Sequence, residues 1–481
     1  MTVVAHIHTL SGPTMKGPHY ASIAEIAESI LLKKVSPVEV VAVHLKRAEA
    51  LQPRLNAFVH MDAEGAHAQA QRAEVAVRNG AELGPLHGVP VTLKSCIDVV
   101  GWPCPAGSAL RKEYVAEIDA TLTGRLREAG AILLGNTNTP EFLMAYETDN
   151  LISGKTSNPW DLSRSAGGSS GGEAAAIASG CSFGGVGSDG GGSIRVPAHF
   201  SGICGLKPTP GRIPATGHFP AGVGAFAWIG VVGPMARTVA DVRTLFNAMA
   251  GADPGDALSA PVPIRPVGDA QLRGMRVGLL ESKDLGEVDA ETNAALQKAA
   301  NDLAAQGFVV EPLPLRGLER AIDLWWFFFG PVIAHLFQPS VTGQEEKLSA
   351  IFREYLQFAE APVTLDALLG ACAERDMLRS TILRQMRDVP ILLSPVSTTT
   401  AFRHGEGTWR PGAGQSYRDT MRFSQWLNLT GFPGATVPIS VSAEGLPIGI
   451  QVIGRPHEEE LLLAVTERIE NGRGPWQAPP L

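Results

Sequence analysis

Apolar and polar positions along this chain follow two different periods. After Ser22-x-x-Glu25 the apolar residues Ile26, Ile30 and Leu31 recur at helical spacing, and after Ser36-Pro37-x-Glu39 so do Val41 and Leu45. Each serine and glutamate makes a capping box, and Pro37 takes a first helical position, where its missing N–H is no loss. The two helices are expected to form an α-hairpin. Residues 89–93 are instead an extended apolar run, read as a buried strand with Lys94 at its C-terminal end. Asp119 stands where it would cap a helix carrying Leu122, Leu126 and Ala129, and Gly130 leads from it into strand-like AILLG.

Further on, residues 251–274 are rich in proline, glycine and aspartate, which marks a surface excursion or a subdomain edge. A strand over 275–280, a helix ending near Gln306 with Gly307 as its stop, and a strand from Phe308 follow. Residues 315–388 read as mainly helical and apolar. ILLSPV (391–396), GATVPISV (434–441) and PIGIQVIG (447–454) read as strands, the last two joined by a turn at 443–445. This alternation of helices and strands predicts an α/β fold.

Composition narrows the function classes. With 481 residues, 44% of them hydrophobic and 18% charged, the chain has material for a large core. Its net charge of −8 supplies no long-range attraction to phosphate backbones or anionic lipid, so no nucleic-acid partner is expected. Five cysteines without a C-x-x-C pair fit a reduced, cytoplasmic compartment. The opening MTVVAHIHTLSG lacks the basic and apolar regions of a signal peptide. Residues 1–20 read as a flexible tail, in which His6-x-His8 is a solvated pair rather than a metal site. LWWFFFGPVIAHLF (324–337) is too short to span a bilayer and contains Pro331, so it reads as a core helix and no integral membrane segment is expected. No H-E-x-x-H or comparable cluster occurs, and the chemistry is expected to need neither metal nor cofactor.

The candidate chemistry lies in SAGGSSGGEAAAIASGCSFGGVGSDGGGSIR (165–195), where glycine and serine fill 18 of 31 positions around an alanine run. A flexible linker would contain no such apolar core. Ser170-x-x-Glu173 reads as a capping box ahead of residues 174–178, so two serine-bearing glycine turns flank one short helix. Gly185-x-Gly187-x-x-Gly190 matches a dinucleotide fingerprint, but Pro197 follows where that motif needs an unbroken helix. Gly167-x-Ser169-x-Gly171 and Gly168-x-Ser170-x-Gly172 both fit a nucleophile elbow, a pattern that requires a later histidine, with His335, His404 and His457 available. A third reading joins Ser193, Ser169 and Lys94. A serine nucleophile needs a base, and a lysine buried among Val91, Leu93, Cys96 and Ile97 without a paired carboxylate would titrate well below ~10.4. An isolated lysine at a strand end ordinarily reaches water.

The block GGSSGGEAAAIASG…GVGSDGGGSIRVPAHFSGICGLKPTPGR (167–212) resembles the signature block of the amidase signature family, as found in bacterial amidases and fatty-acid amide hydrolase-like enzymes. HGVPVTLKSCID (87–98), DATLTGRLREAGAILLGNTNTPEF (119–142), SNPWD (157–161) and GLPIGIQVIG (445–454) resemble the family's other blocks in the same order. The resemblance implies one α/β/α domain over 21–481 with a large mixed central sheet surrounded by helices, and a variable helical region, 315–388, shaping the substrate pocket. It also implies that Lys94 is the base, Ser169 a bridging serine on a cis peptide, and Ser193 the acylating nucleophile. The backbone of Gly190, Gly191, Gly192 and Ser193 then forms the oxyanion hole. The implied activity is hydrolysis of apolar or aryl amides through an acyl-enzyme, with esters and carbamates as side substrates. The small-molecule amide is the expected partner, and a homodimer is compatible with the family. A second implied reading is the A-type component of a glutamine-dependent tRNA amidotransferase, which releases ammonia alongside partner subunits. A third is a noncatalytic binding protein on the same scaffold.

Two positions depart from the family pattern: Ser95 follows Lys94 where an acidic residue is usual, and Asn136 replaces a commonly basic residue. Asp189 and Arg195 are expected to form an ion pair that stiffens the nucleophile's loop, and Cys96 and Cys181 to be small buried thiols.

Overall fold

The computed structural model describes residues 18–280 and 285–481. The tail expected over 1–20, with His6 and His8, lies outside the described residues apart from the turn Pro18–Tyr20, in which Tyr20 is buried.

Eleven strands make one mixed sheet. They are β1 (Phe58–Met61), β2 (Pro90–Lys94), β3 (Ile132–Thr137), β4 (Gly184–Asp189), β5 (Cys204–Lys207), β6 (Val231–Ala236), β7 (Arg276–Leu279), β8 (Val309–Pro312), β9 (Ile391–Pro395), β10 (Gly434–Val441) and β11 (Pro447–Gly454). Their order across the sheet is β1, β3, β2, β4, β6, β5, β10, β11, β9, β7, β8. β2 runs parallel to β3 and β4, and β7 parallel to β8 and β9, while the remaining neighbours are antiparallel. Residues 251–274 run outside the sheet, and the chain re-enters it at β7, so the sheet is continuous across that excursion.

Helices α1 (Ile23–Leu31), α2 (Pro37–Leu55), α3 (Ala63–Arg78), α4 (Thr121–Glu128), α5 (Gly171–Ala178), α6 (Arg195–Ser201), α7 (Val239–Met249), α8 (Ala290–Ala305), α9 (Leu318–Phe327), α10 (Leu365–Gln385), α11 (Arg422–Thr430) and α12 (Glu459–Gly472) surround it. Successive strand residues feed opposite faces, as the pleat requires. In β9, Ile391 and Leu393 join the core formed with Leu245 of α7, Leu296 of α8 and Leu462 of α12. Leu392 between them joins a second core with Trp325 of α9, Ile382 of α10 and Trp426 of α11. The result is the α/β/α arrangement with a large mixed sheet. Residues 318–341 are apolar and long enough to cross a membrane, but Trp325, Phe328 and Ala334 are buried in the second core, as a core helix requires.

Both N-terminal capping boxes form. The expected α-hairpin does not dominate: α2 packs chiefly on α3, while Asp241 of α7 accepts the Ile23 amide of α1 at 2.8 Å. Asp119 does not cap α4 either. Its carboxylate accepts from the Val100 amide and from Arg127, and Ala120 occupies the cap without a side-chain bond. Pro197 does not prevent a helix after β4. It sits in the first turn of α6, where no N–H is needed.

Candidate active site

The pleat of β2 decides where Lys94 points. Val91 and Leu93 enter the first core, so Thr92 and Lys94 face the opposite side, toward α5. Because β2, β3 and β4 are parallel, Lys94, Thr137 and Asp189 end at one edge of the sheet, the edge where open α/β sheets place ligands.

Above that edge lies the Gly/Ser stretch. The capping box expected of Ser170 and Glu173 does not form. Ser170 Oγ donates to the Ser188 carbonyl and accepts its amide, both at 3.2 Å, and Thr148 Oγ1 accepts the Gly171 amide at 3.1 Å. The Glu173 carboxylate turns into the core, where Thr92 and Thr137 (2.7 Å) donate to it, and burial pushes its pKa up to about 7.

Lys94 is fully buried and forms no ion pair among the described residues. Its amine donates to Ser169 Oγ at 2.6 Å and to Ser188 Oγ at 3.0 Å. Burial lowers its pKa from 10.5 to about 8, against the pull of Cys96, Asp189 and Glu173. The Gly168–Ser169 peptide is cis. Thr139 Oγ1 holds the Ser169 carbonyl at 2.8 Å, and the Ser170 amide donates to the Ser193 carbonyl at 3.2 Å, which ties the first glycine turn to the second. Ser169 and Ser193 line one narrow cleft, walled by Leu143, Met144, Phe226, Val231 and Phe329. Among the described residues neither elbow serine is hydrogen-bonded to a histidine, and His404 is engaged with Glu147 at 2.7 Å.

The second turn is held from behind. Asp189 and Arg195 pair with both side chains fully buried (Arg195 Nε to Asp189 Oδ2, 3.0 Å), as the sequence predicts. Burial alone would raise the Asp189 carboxyl, but the charge and hydrogen bonds of Arg195 hold it far below the usual carboxylate range. Asn428 and Gln451 satisfy the rest of the guanidinium at 2.6 and 2.9 Å. Asp189 also accepts the amides of Gly192 (2.7 Å) and Ile194 (3.1 Å). Of the four amides that the family resemblance assigns to an oxyanion hole, that of Gly192 donates to the Asp189 carboxylate, whereas those of Gly190, Gly191 and Ser193 have no protein acceptor among the described residues. Gly192 is required instead by its φ of +130°, which L side chains avoid.

Removing one partner of this buried pair strands the other charge, which typically costs about 3–5 kcal/mol. Arg195→Met is therefore expected to lower Tm by about 3–5 °C, since unfolding a chain of this length carries an entropy near ~1 kcal/mol/K. Adding Asp189→Asn to Arg195→Met should return part of the loss. A calorimetric Tm for Arg195→Met equal to that of the parent would contradict this account.

Two residues absent from the sequence-based site orient the loop. Trp325 Nε1 donates to the Gly190 carbonyl at 2.9 Å and Tyr146 Oη to the Gly191 carbonyl at 2.8 Å. With these carbonyls held, the Gly191 and Gly192 peptides cannot rotate freely. A Cβ on Gly191 would lie 2.5 Å from both aromatic side chains, so glycine is the residue that fits. Trp325 was expected to be core, and it is also a loop support; no local signal sets it apart from Trp326. Of the two departures from the family pattern, Ser95 Oγ and Asn136 Oδ1 are buried without partners among the described residues, and the second contact of Lys94 is Ser188. Cys96 and Cys181 are buried free thiols.

The amidase family profile matches residues 39–463. Over 490 residues the chain is 33% identical to the A-type component of the glutamyl-tRNA(Gln) amidotransferase of Carboxydothermus hydrogenoformans, covering 96% of this chain and 99% of that one. It is 34% identical to an indoleacetamide hydrolase of Bradyrhizobium diazoefficiens, covering 95% and 88%. The solved structure of 6-aminohexanoate cyclic dimer hydrolase with its substrate superposes with a TM-score of 0.86 at 29% identity, covering 96% and 99%. With the profile spanning most of the chain and the mixed sheet shared with these structures, this protein belongs to the amidase signature family of enzymes acting on carbon–nitrogen bonds.

Proposed function

We propose that the chain hydrolyses amides with apolar or aryl substituents through an acyl-enzyme on Ser193. The observation that carries this reading is the buried Lys94 amine bonded to Ser169 at the floor of the cleft that Ser193 also lines. Neutral Lys94 takes the proton of Ser169 as Ser169 takes that of Ser193, and Ser193 Oγ bonds to the substrate carbonyl carbon. The amides of Gly190, Gly191 and Ser193 stabilise the oxyanion, each such donor contributing about 3 kcal/mol. The carbon–nitrogen bond then breaks, the proton returns through Ser169 to the leaving amine, and water releases the acid by the same relay.

The amidotransferase reading has its own support in the full-length likeness to the A-type component of that enzyme. Glutamine, however, carries an α-carboxylate and an α-ammonium. Of the residues lining the cleft, Asp189 is engaged by Arg195, and burial lowers the pKa of His218 to about 4, leaving it neutral. Apart from the uncharged hydroxyls of Ser169, Ser188 and Ser193, the remaining side chains of the walls are apolar, a lining suited to an apolar acyl or aryl group. The purified chain alone is therefore expected to turn over anilides and primary amides of apolar acids, with glutamine no faster than background. Inertness toward all of these, with ammonia release from glutamine on adding amidotransferase partner subunits, would reverse the assignment.

A further inference from the structure

His218 lies outside every motif that locates Ser169, Ser193 and Lys94, yet it faces the same cleft. Its loop is fixed to the exit of β2: the Asp98 amide donates to the Gly217 carbonyl at 2.9 Å, the Phe219 amide to the Cys96 carbonyl at 2.8 Å, and Ile97 and His218 form a β-bridge. The imidazole stacks on Phe226 at 6.4 Å and is 9% exposed. Nδ1 lies 2.9 Å from the Pro220 carbonyl. A carbonyl only accepts, so Nδ1 carries the proton, and in the neutral ring Nε2 is left with a lone pair. Burial keeps the ring neutral, against the opposing pull of the Pro220 carbonyl. Nε2 is buried and has no partner among the described residues.

The other polar groups at the reacting centre are the hydroxyls of Ser169, Ser188 and Ser193, the Lys94 amine, backbone N–H groups and the Asp189 carboxylate, whose oxygens are already taken up by Arg195 and the amides of Gly192 and Ile194. A scissile amide brings an N–H, which needs an acceptor. Building on the amidase reading, we propose that His218 Nε2 accepts a hydrogen bond from the N–H of the scissile amide, making His218 a determinant of amide over ester specificity. Holding that N–H also fixes the rotation of the nitrogen, so that the lone pair developing in the tetrahedral intermediate turns toward the proton returned by Ser169. Esters and N-alkylated amides have no N–H to offer, and a buried acceptor left unpaired disfavours them.

The test compares an anilide with its N-methyl anilide and the corresponding aryl ester, all with one apolar acyl group. His218→Phe and His218→Leu both remove the acceptor, and the first keeps a ring against Phe226, so either folded variant decides the matter. Each is expected to lower kcat/KM for the anilide by about five- to tenfold relative to the ester and the N-methyl anilide. His218→Gln, which carries an acceptor oxygen at similar reach, should recover part of the ratio. An anilide-to-ester ratio unchanged in both apolar variants, with parent activity on the anilide, overturns this inference alone. A parent protein that hydrolyses none of the three overturns the amidase reading and the inference with it.

Discussion

Ser193→Ala is expected to lower amide hydrolysis by roughly 10⁴-fold or more, because it removes the atom that forms the acyl bond and leaves water to attack unaided. The substitution tests chemistry rather than folding. Ser193 Oγ has no hydrogen-bond partner among the described residues, while the backbone of Ser193 keeps its bond from the Ser170 amide. Gly192 stays on Asp189, and Trp325 and Tyr146 stay on the loop carbonyls. Stability should therefore change by no more than about 0.5 kcal/mol. Intact-protein mass spectrometry after exposure to substrate should find an acyl adduct on the parent and none on the variant. Full activity in the variant would place the nucleophile elsewhere.

Local capping patterns were legible at helix starts open to water, even where a neighbour shares the serine, as Glu74 does with Ser36 at 2.6 Å. Ser22 with Glu25 and Ser36 with Glu39 lie on exposed or partly buried helix starts, and both close their boxes. Ser170 with Glu173 has the same spacing at a fully buried helix start, where Thr92, Thr137 and the backbone of Ser188 compete and win. Asp119 is drawn away by Arg127 in the same manner. The residue pattern is identical in the formed and unformed boxes, so only the tertiary partners distinguish them.

The site divides along a similar line. β2 contains a usable local signal, since Val91 and Leu93 alternate with Thr92 and Lys94, so a lysine sharing a face with a hydrogen-bonding threonine could be read from the strand period alone. The link from Lys94 to Ser169 spans 75 positions and rested on the family resemblance. Trp325 and Gly190 are 135 positions apart, and Trp325 sits in an aromatic run whose members look alike in sequence. His218 gave no warning either. Its importance depends on the tautomer imposed by Pro220 and on what the cleft lacks. Which loop amides are free is likewise set by Asp189, whose role as anchor for Gly192 is a matter of geometry.

Lys94→Met should separate the two consequences of burying an amine. Methionine fills a similar volume but accepts no proton, so activity is expected to fall by roughly 10²–10⁴-fold, the usual span for losing a general base. In the parent, Lys94 works only when neutral. With its pKa lowered to about 8 by burial, kcat/KM should climb tenfold per pH unit below that value and level off above it, whereas residual activity of the variant should lack this rise. Stability should move the other way. The folded pKa lies below the ordinary 10.5, so between about 8 and 10.5 the unfolded chain binds the extra proton and the parent gains stability as pH rises. At neutral pH the parent therefore bears a cost of about 3 kcal/mol for burying this group. The variant is relieved of that cost, and its Tm at pH 7 should equal or exceed the parent's, with the difference shrinking toward pH 10. A variant that loses both activity and several degrees of Tm at pH 7 would mean that Lys94 serves packing through Ser169 and Ser188 more than proton transfer. One that keeps its Tm while losing the acid limb of the pH profile would identify the buried amine as a base maintained at the expense of stability, the trade expected at a site selected for reactivity.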